Sequence, residues 1–415
     1  MRGNISYNNN IKERFIPIEY NRLFEDLLIY LKIRDIKKYL EFNRLLGEYY
    51  HKSSYDDLYK MKQNYLPFSP DNELLSRDYS SQECKIMEEE LFYEIDMVLN
   101  RANYEILTKD MLNKAINKTS PYGVEVNVNF EDFDTMKIYF RGQSIQKDKI
   151  PDPWRLYLKK KTISEPIYRR LVLIIKPKQL EKRAKELSKK RGITLEKARK
   201  ILKNNLILRR DKYNRNIYIK LFKNIPQMDL EMLFPNTKVK MKLFDKIKIT
   251  ILGASGTIGG GISMFTKLGT ITNPISALIA IGGFIGVLWR QVKNILSKRD
   301  QYLAKLAQKL YFYNLANNTG AINYFIDNAN DEESKEVILT YIFLSKYNKP
   351  LTKDRLDILI EEFIYKTYNI KMNFEIDDGI KKLKLLGVVT QEKDRLILNR
   401  DENLLDRIRE TIKSL

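Results

Sequence analysis

The stretch Ile249–Thr266 reads ITILGASGTIGGGISMFT, and Leu268–Trp289 reads LGTITNPISALIAIGGFIGVLW, with only Lys267 between them. Neither stretch contains a charged residue, although the chain as a whole is 31% charged. A helix needs roughly 20 apolar residues to cross the hydrocarbon core of a bilayer. The two stretches therefore predict a two-helix transmembrane hairpin at residues 246–292.

Glycines recur at a four-residue spacing within both stretches. Gly256 and Gly260 form one pair, and Gly282 and Gly286 form the other. This spacing places small residues on one helix face and lets two membrane helices approach closely, so we predict that these four glycines pack the hairpin. Basic residues flank the hairpin on both sides. The positive-inside rule then predicts an integral membrane protein with two spans and both termini on the cytoplasmic, stromal or matrix side.

The same glycines permit a second interpretation. Gly253, Gly256 and Gly259 follow the strand-like KITIL with the spacing of a dinucleotide-binding turn, which would make the chain a nucleotide-dependent reductase using residues 253–261. A Rossmann unit also needs an acidic residue about 20 residues further on, at the end of a second strand. No acidic residue follows before Asp300. We therefore favour membrane packing over the reductase and over a buried soluble hairpin, and we predict no cofactor.

The composition indicates a polyanionic neighbour and argues against metal and histidine chemistry. The chain has 74 basic and 53 acidic residues and a net charge of +21, which suits anionic lipid headgroups or nucleic acid. Cys84 is the only cysteine and His51 the only histidine. An intramolecular disulfide, a cysteine-rich zinc site and a paired-histidine metal site are therefore excluded. The sequence identifies no catalytic residue and no metal ligand.

The periodicity of apolar residues predicts an α+β fold in four parts. Helical spacing predicts a helical N-terminal region at residues 1–120. Alternation from Gly123 onward predicts a small α+β domain at 121–245 with an antiparallel sheet of about four strands. The hairpin at 246–292 follows, and a helical C-terminal domain at 293–415 contains three helices and two short strands in the order of a winged helix.

The winged-helix prediction specifies both a core and a partner. Acidic side chains at the start of the third helix would repel phosphates, so we predict that Glu333–Asn399 contacts protein and not DNA. Val388 and Ile397, from the two strands, should close the core. The helical core positions are Leu339, Ile342, Phe343, Leu356, Ile360, Phe363, Ile380, Leu383 and Leu386.

A basic insertion at residues 178–215 interrupts the small α+β domain. It holds 15 Lys or Arg and 4 acidic residues, and it reads as two helices joined at Gly192. We predict that it binds an anionic surface. Nucleic-acid binding and a solvated hairpin without a partner are the alternatives. The predicted binding residues are Lys182, Arg183, Lys189, Lys190, Arg191, Lys197, Arg199 and Lys200.

Six segments carry a family resemblance. They are RFIPI (Arg14–Ile18), FEDFDTMKIYFRG (Phe130–Gly142), YRRLVLIIK (Tyr168–Lys176), IYIKLFKNIPQMDLEMLFPNTKVKM (Ile217–Met241), KLYFYNLANNTGAINYFIDNANDEESKEVILTYIFL (Lys309–Leu344) and FEIDDGIKKLKLLGVV (Phe374–Val389). In these segments the chain resembles an uncharacterised family of cyanobacteria, plastids and mitochondria, typified by transmembrane protein 143. The resemblance implies a two-span membrane protein without an established activity. Some plant relatives carry an aminopeptidase label, which a chain with one histidine and no HExxH motif does not support.

Together these observations predict a membrane-anchored adaptor, scaffold or regulator of unknown biochemical activity at the inner membrane face. The sequence favours a non-enzymatic role. The expected partners are anionic headgroups of membrane lipids and a protein bound by the C-terminal domain. Nucleic acid is disfavoured, and a homo-oligomer is compatible with the sequence.

Overall fold

The computed structural model describes twelve segments of the chain, which form two compact units. One unit holds the described residues within Met1–Lys109, Glu131–Gln227 and Asn314–Leu415, and the other holds those within Asp110–Phe130 and Met228–Tyr313. The described segments are 5–7, 12–71, 77–108, 110–112, 124–151, 160–205, 207–209, 215–236, 238–241, 310–347, 349–399 and 403–415.

An antiparallel sheet forms one half of the larger unit. Six of the described strands build it in the order β1-β4-β5-β6-β8, and β2 pairs with β4 beside β1. The prediction of an α+β chain with an antiparallel sheet is confirmed, with more strands than the four expected. The strands are β1 (Ile5–Tyr7), β2 (Glu105–Ile106), β4 (Phe133–Pro151), β5 (Lys160–Pro177), β6 (Tyr218–Pro226) and β8 (Asn314–Asn317).

The centre of the sheet is buried on both faces. Every residue from Leu171 to Ile175 in β5 is at most 2% exposed. A strand buried on both sides reads as a continuous apolar run and not as an alternation, which explains the sequence LVLII. On one face, Val172 and Ile174 pack with residues of β4, of β6 and of three helices. We call this cluster the sheet core.

The helical N-terminal region is also confirmed. Its first helix ends just before Lys32, which adopts a left-handed backbone conformation with φ of 51°. The third helix begins at a capping box, in which Ser80 and Glu83 bond each other's backbone amides. The helices are α1 (Tyr20–Tyr30), α2 (Lys37–Tyr65) and α3 (Ser81–Arg101).

Between β5 and β6 the basic insertion folds as two helices, α4 (Leu180–Arg191) and α5 (Leu195–Leu202). Gly192 ends α4 in the left-handed conformation, with φ of 62°, as a C-cap glycine does. The Thr194 hydroxyl then accepts a hydrogen bond from the amide of Lys197 and caps α5. These local signals place the two helices where the sequence predicts them.

One long helix, α6 (Asn318–Tyr347), takes part in two hydrophobic cores of the larger unit. Its first turns, with Phe325 and Ala329, pack into the sheet core. Its last turns, with Leu339 and Phe343, pack with α1, α2 and the C-terminal helices in a second cluster, which we call the winged-helix core. The residues between these two parts of α6 are charged and buried.

The C-terminal elements have the order and strand pairing of a winged helix. A short strand precedes two helices and a β-hairpin, and in the three-stranded sheet this first strand pairs with the last, giving the order β10-β11-β9. The end of α6 supplies the first helix. The elements that follow are β9 (Leu351–Thr352), α7 (Lys353–Tyr368), α8 (Ile376–Leu385), β10 (Val389–Glu392), β11 (Arg395–Leu398) and α9 (Leu404–Ser414).

The predicted winged-helix core needs one correction. All nine helical positions and Val388 lie in this core, but Ile397 does not. Leu396 is 1% exposed and occupies the inward position, while Ile397 is partly exposed. Successive residues of a strand face opposite sides, so an error of one residue in β11 exchanges the buried and the outward side chain.

The smaller unit contains a two-stranded antiparallel pair, β3 (Val124–Asn127) with β7 (Lys238–Met241). The aromatic rings of Phe130 and Phe234 meet edge to face, with 5.4 Å between their centroids. The Asn236 side-chain amide donates to the carbonyl of Asn129 at 2.7 Å. These contacts join the residues that follow β3 to the residues that precede β7.

The membrane part of the predicted fold class and the predicted two-span localisation are corrected. In the part of the chain that the structure describes, no helix is both long enough and apolar enough to cross a bilayer. Even α6, with 30 residues, has charged side chains at its centre. The predicted hairpin at 246–292 lies outside the described residues.

The close packing of α8 on α6 at Gly379 generates a stability prediction. A methyl group at Gly379 would lie 2.5 Å from the Thr340 hydroxyl and 2.9 Å from the carbonyl oxygen of Glu336. We expect Gly379→Ala to lower the free energy of unfolding by about 1–3 kcal/mol, because overpacking displaces α8. Urea unfolding of the full-length chain measures this change.

Gly47, in the middle of α2, supplies the matched control. No atom lies within 4 Å of a methyl group built there. Gly47→Ala should therefore stabilise the protein by roughly 0.5–1 kcal/mol through helix propensity. If Gly379→Ala were as stable as the wild type, the proposed close contact between α8 and α6 would be wrong.

Candidate binding groove on the winged helix

The described surface of the winged helix contains a groove between α8 and the β10–β11 hairpin. Its volume is about 690 Å³, within the range of ligand-binding clefts. Ile380 and Leu396 are buried at its base, whereas Leu385 is 65% exposed. The lining residues are Lys353, Asp377, Ile380, Lys381, Lys384, Leu385, Gln391 and Leu396.

The local fold explains how these side chains come together. Thr352 caps α7 by accepting from the amide of Arg355, which fixes Lys353 in the first turn of the helix. Lys353 then forms an ion pair with Asp377 at the start of α8, with 2.5 Å between Nζ and Oδ2. The hydrogen bond that Lys353 donates to the Asp377 carboxylate raises the pKa of Lys353 above its usual value, so this lysine stays charged. One acid and one base of the groove thus neutralise each other.

The remaining charge of the groove is positive. Lys384 donates to the neutral Gln391 side chain, with 2.6 Å between Nζ and Oε1. Lys381 is exposed and makes no ion pair with any carboxylate that the structure describes. Two lysines that form no ion pair with a described carboxylate therefore lie beside an exposed leucine.

The third lysine of α8 faces the opposite way. Lys382 makes an ion pair with Glu333 of α6, with 3.1 Å between Nζ and Oε1. Arg101 of α3 binds the same carboxylate through two hydrogen bonds of 3.1 and 3.0 Å. This bidentate arrangement is the strong form of an arginine–carboxylate pair. Glu333 consequently joins α3, α6 and α8.

Glu333 belongs to a charged layer in the middle of α6. Glu332, Glu333, Lys335 and Glu336 are each at most 4% exposed. Buried charges are costly unless they are paired and hydrogen-bonded, so their partners are decisive. With Arg101, Asn103, Arg141 and Lys382 from other elements, they form what we call the charged layer.

Glu332 and Glu336 share one donor. The Asn103 side-chain amide donates to Glu332 at 3.3 Å and to Glu336 at 2.9 Å. Glu332 also accepts from the backbone amide of Ile16 at 2.6 Å and lies 3.9 Å from the Arg141 guanidinium. The Oε2 atom of each glutamate has no hydrogen-bond partner in the described structure, but only Glu332 has the Arg141 guanidinium beside it.

The two glutamates differ in their basic neighbours, and this difference determines which of them carries a proton. Burial, and then the neighbouring charge of Glu332, raise the pKa of Glu336 well above 4.5. Burial raises the pKa of Glu332 as well, opposed by Arg141 and Lys335. Because Glu336 lacks a basic partner of its own, we assign the proton of this pair to Glu336. The layer therefore connects elements through neutral and charged hydrogen bonds and offers no open carboxylate for catalysis.

No group of His, Cys, Asp and Glu side chains in the described ranges could hold a metal ion. Glycine-rich residues 253–261, which include two of the four glycines predicted to pack the hairpin, lie outside these ranges, as do Gly282 and Gly286. The reductase hypothesis and the helix-packing prediction therefore have no structural test here.

The structure separates the eight predicted anion-binding residues into two groups. Four make ion pairs: Arg183 with Glu131 and Asp132, Lys182 with Asp134, Lys190 with Glu131, and Arg199 with Glu181. Arg183 is 3% exposed and is a buried structural residue. The other four are exposed and form no ion pair with described residues: Lys189, Arg191, Lys197 and Lys200.

Sequence reasoning missed most residues of the groove and of the charged layer. Lys353, Leu385, Gln391 and Leu396 come from four separate elements, so no local motif joins them. The charged layer did leave a signal, since DEESKE at residues 331–336 interrupts an otherwise apolar helix. A charged turn between two apolar halves of one helix indicates buried ion pairs when both halves are packed.

The fold and groove thus define an α+β protein with a winged helix that presents a cationic, partly apolar cleft. Residues 168–320 match the model of a family described as Protein of unknown function (DUF3754). The match covers under half of the chain, from β5 through the basic insertion to the start of α6. It gives no support for the finer likeness to the transmembrane protein 143 family. No solved structure matches this chain.

The protonated state of Glu336 generates a pH prediction. Its pKa in the folded state lies above the unfolded value near 4.5. Between these two values the folded state binds more protons, so the contribution of Glu336 to stability is lost as the pH rises. Glu336→Gln keeps an acceptor for Asn103 and cannot ionise. We expect this variant to gain stability relative to the wild type between about pH 5 and about pH 8.

Chemical unfolding at both pH values measures the difference in free energy between the variant and the wild type. Glu362→Gln is the control, because Glu362 is exposed, pairs with Lys366 at 2.9 Å and has a lowered pKa. Its effect should be the same at both pH values. A pH-independent effect of Glu336→Gln would show that this carboxyl is ionised throughout.

Proposed function

We propose that this chain is a non-enzymatic adaptor whose winged helix binds an acidic amphipathic segment of a partner protein. The observation that carries the proposal is the groove of about 690 Å³ between α8 and the β10–β11 hairpin. An exposed leucine and two lysines without acidic partners face the same cleft. Binding of an amphipathic helix in a hydrophobic groove is a recurring mode of peptide recognition.

The charge of α8 favours a protein partner over DNA. Its exposed charged residues are Asp377, Asp378, Lys381 and Lys384, which sum to zero, because Lys382 is turned toward Glu333. DNA binding derives much of its affinity from several basic contacts with phosphates. The hairpin adds Glu392 and Asp394 against Lys393 and Arg395, so it supplies no net positive charge either.

The apolar part of the groove supports the same conclusion. Leu385 is 65% exposed at the end of α8, and Ile380 and Leu396 lie beneath it. A phosphate backbone offers no surface that would cover these side chains, whereas leucine or phenylalanine of a bound helix would. The cationic side chains Lys381 and Lys384 then select carboxylates next to those apolar residues.

The test uses designed helical peptides with glutamates on one face and leucines on the other, labelled for fluorescence anisotropy. The full-length chain should bind them, and the same peptides with lysine in place of glutamate should not bind. We expect Lys381→Glu/Lys384→Glu to reduce the affinity at least about tenfold, because reversed rim charges repel the peptide. Leu385→Ser should weaken binding to a similar extent by removing an apolar contact.

Ile358→Ser is the matched control for Leu385→Ser. Ile358 is also an exposed apolar side chain of the winged helix, on α7, but it does not line the groove. Its substitution should leave peptide affinity unchanged. Duplex DNA of random sequence provides the competing ligand. The proposal is wrong if DNA binds more tightly than every acidic peptide and Lys381→Glu/Lys384→Glu abolishes that binding.

A further inference from the structure

The basic insertion is a preformed two-helix arm with its own core. Ala184 and Leu187 of α4 pack with Ala198 and Leu202 of α5, and Leu208 completes the cluster. The Ser188 hydroxyl donates to the carbonyl of Ile193 at 2.6 Å across the turn between the helices. We call residues 178–209 the arm. Its surface charges are therefore held in fixed positions.

Ion pairs attach the arm to the start of β4 and to the turn before it. Arg183 binds Asp132, with 3.1 Å between Nε and Oδ1, and both side chains are at most 4% exposed. Arg209 binds Asp134, with 3.0 Å between Nη2 and Oδ2. A backbone hydrogen bond of 2.8 Å also runs from the amide of Lys178 to the carbonyl of Asp132. These contacts fix the base of the arm to the sheet.

The outward side of the arm remains cationic. In α4 the buried positions are Arg183, Ala184 and Leu187, so Lys185 and Lys189, four residues apart, lie on the opposite face. In α5 the buried positions are Ala198 and Leu202, which leaves Lys197 and Lys200 outward. All four lysines are exposed and form no ion pair within the described ranges.

The acidic residues nearest in sequence do not neutralise this face. Glu181 is bound by Arg199, and Glu186 by Lys178 and Arg183. Glu196 is the one exposed acid of the described arm without an ion pair to a described residue. The fold thus pairs Glu181 and Glu186 within the arm, and it leaves the four lysines exposed on the sides of the two helices that face away from the arm's core.

Two features indicate which polyanion this face binds. No aromatic residue occurs between Lys178 and Arg209, so the arm has no side chain on which a base could stack. Ile201 is 50% exposed and lies one helical turn after Lys197, on the same side of α5. Lysines around an exposed apolar side chain suit the boundary between headgroups and acyl chains.

We propose that the arm binds the surface of anionic phospholipid bilayers peripherally, through Lys185, Lys189, Lys197, Lys200 and Ile201. This binding needs no spanning helix. It is electrostatic and therefore weakens as salt increases. It is also independent of the groove on the winged helix, since it uses different residues and a different ligand.

The test is co-sedimentation of the full-length chain with phosphatidylcholine vesicles containing about 30% phosphatidylserine, compared with pure phosphatidylcholine. Each basic residue near an anionic surface raises the partition coefficient roughly fivefold. Reversal of all four lysines to glutamate should therefore lower partitioning by more than about 100-fold. Circular dichroism and thermal unfolding should match the wild type, because these side chains make no described ion pair.

The control reverses four exposed lysines outside the arm: Lys37, Lys38, Lys60 and Lys371. It changes the net charge equally, and we expect it to retain most of the vesicle binding. Equal loss in both variants would overturn the proposal, because net charge alone would then explain the affinity.

Ile201→Ser separates lipid from nucleic acid. It should reduce vesicle binding and leave any binding of duplex RNA unchanged, since phosphates do not contact an apolar side chain. The proposal is also overturned if the arm variant loses tight RNA binding while vesicle binding is weak in the wild type. In that case the cationic face is a nucleic-acid surface.

Discussion

The rest of the larger unit depends on the ion pair between Glu333 and Arg101, and on the charged layer around it. Helix α6 must cross from the sheet core to the winged-helix core, and four buried charged residues lie at that crossing. An unpaired buried charge would cost several kcal/mol. The layer is tolerated because α3, β4 and α8 each contribute a basic partner, Arg101, Arg141 and Lys382, to the carboxylates of α6. The two cores are consequently joined in one relative position, since each pair has a single geometry.

The same arrangement determines what the surface can bind. Lys382 would add to the positive charge of the groove if it faced outward, but Glu333 draws it inward. On the arm, Arg183 and Arg209 likewise form ion pairs with Asp132 and Asp134. In both places some basic side chains pair with internal carboxylates, and the other basic side chains remain exposed. A net charge of +21 therefore overstates the cationic surface, and the binding properties depend on which lysines are left without acids.

Local signals in the sequence were sufficient to predict some helices. They were insufficient to predict contacts between elements that are distant in sequence. Gly192 and Thr194 define the two helices of the arm because a left-handed C-cap and an N-cap depend only on neighbouring residues. The register of β11 was missed by one residue, since Leu396 and Ile397 are equally apolar and only packing distinguishes them. Asp132 and Asp134 bind arginines about 50 and 75 residues away in sequence, and such contacts have no local signature. The charged layer was visible as DEESKE, but its partners come from three other elements, so its meaning required the fold.

The position of α8 links the charged layer to the proposed groove. One face of α8 packs on α6, where Gly379 allows contact with Glu336 and Thr340, and Lys382 reaches Glu333. The opposite face carries Lys381, Lys384 and Leu385 and forms a wall of the groove. Because the buried face has a tight steric fit and a charged hydrogen bond, α8 has little freedom to shift when a ligand binds. Because α8 is already rigid before a ligand binds, less conformational entropy is lost on binding. This favours recognition of a short amphipathic segment by few side chains.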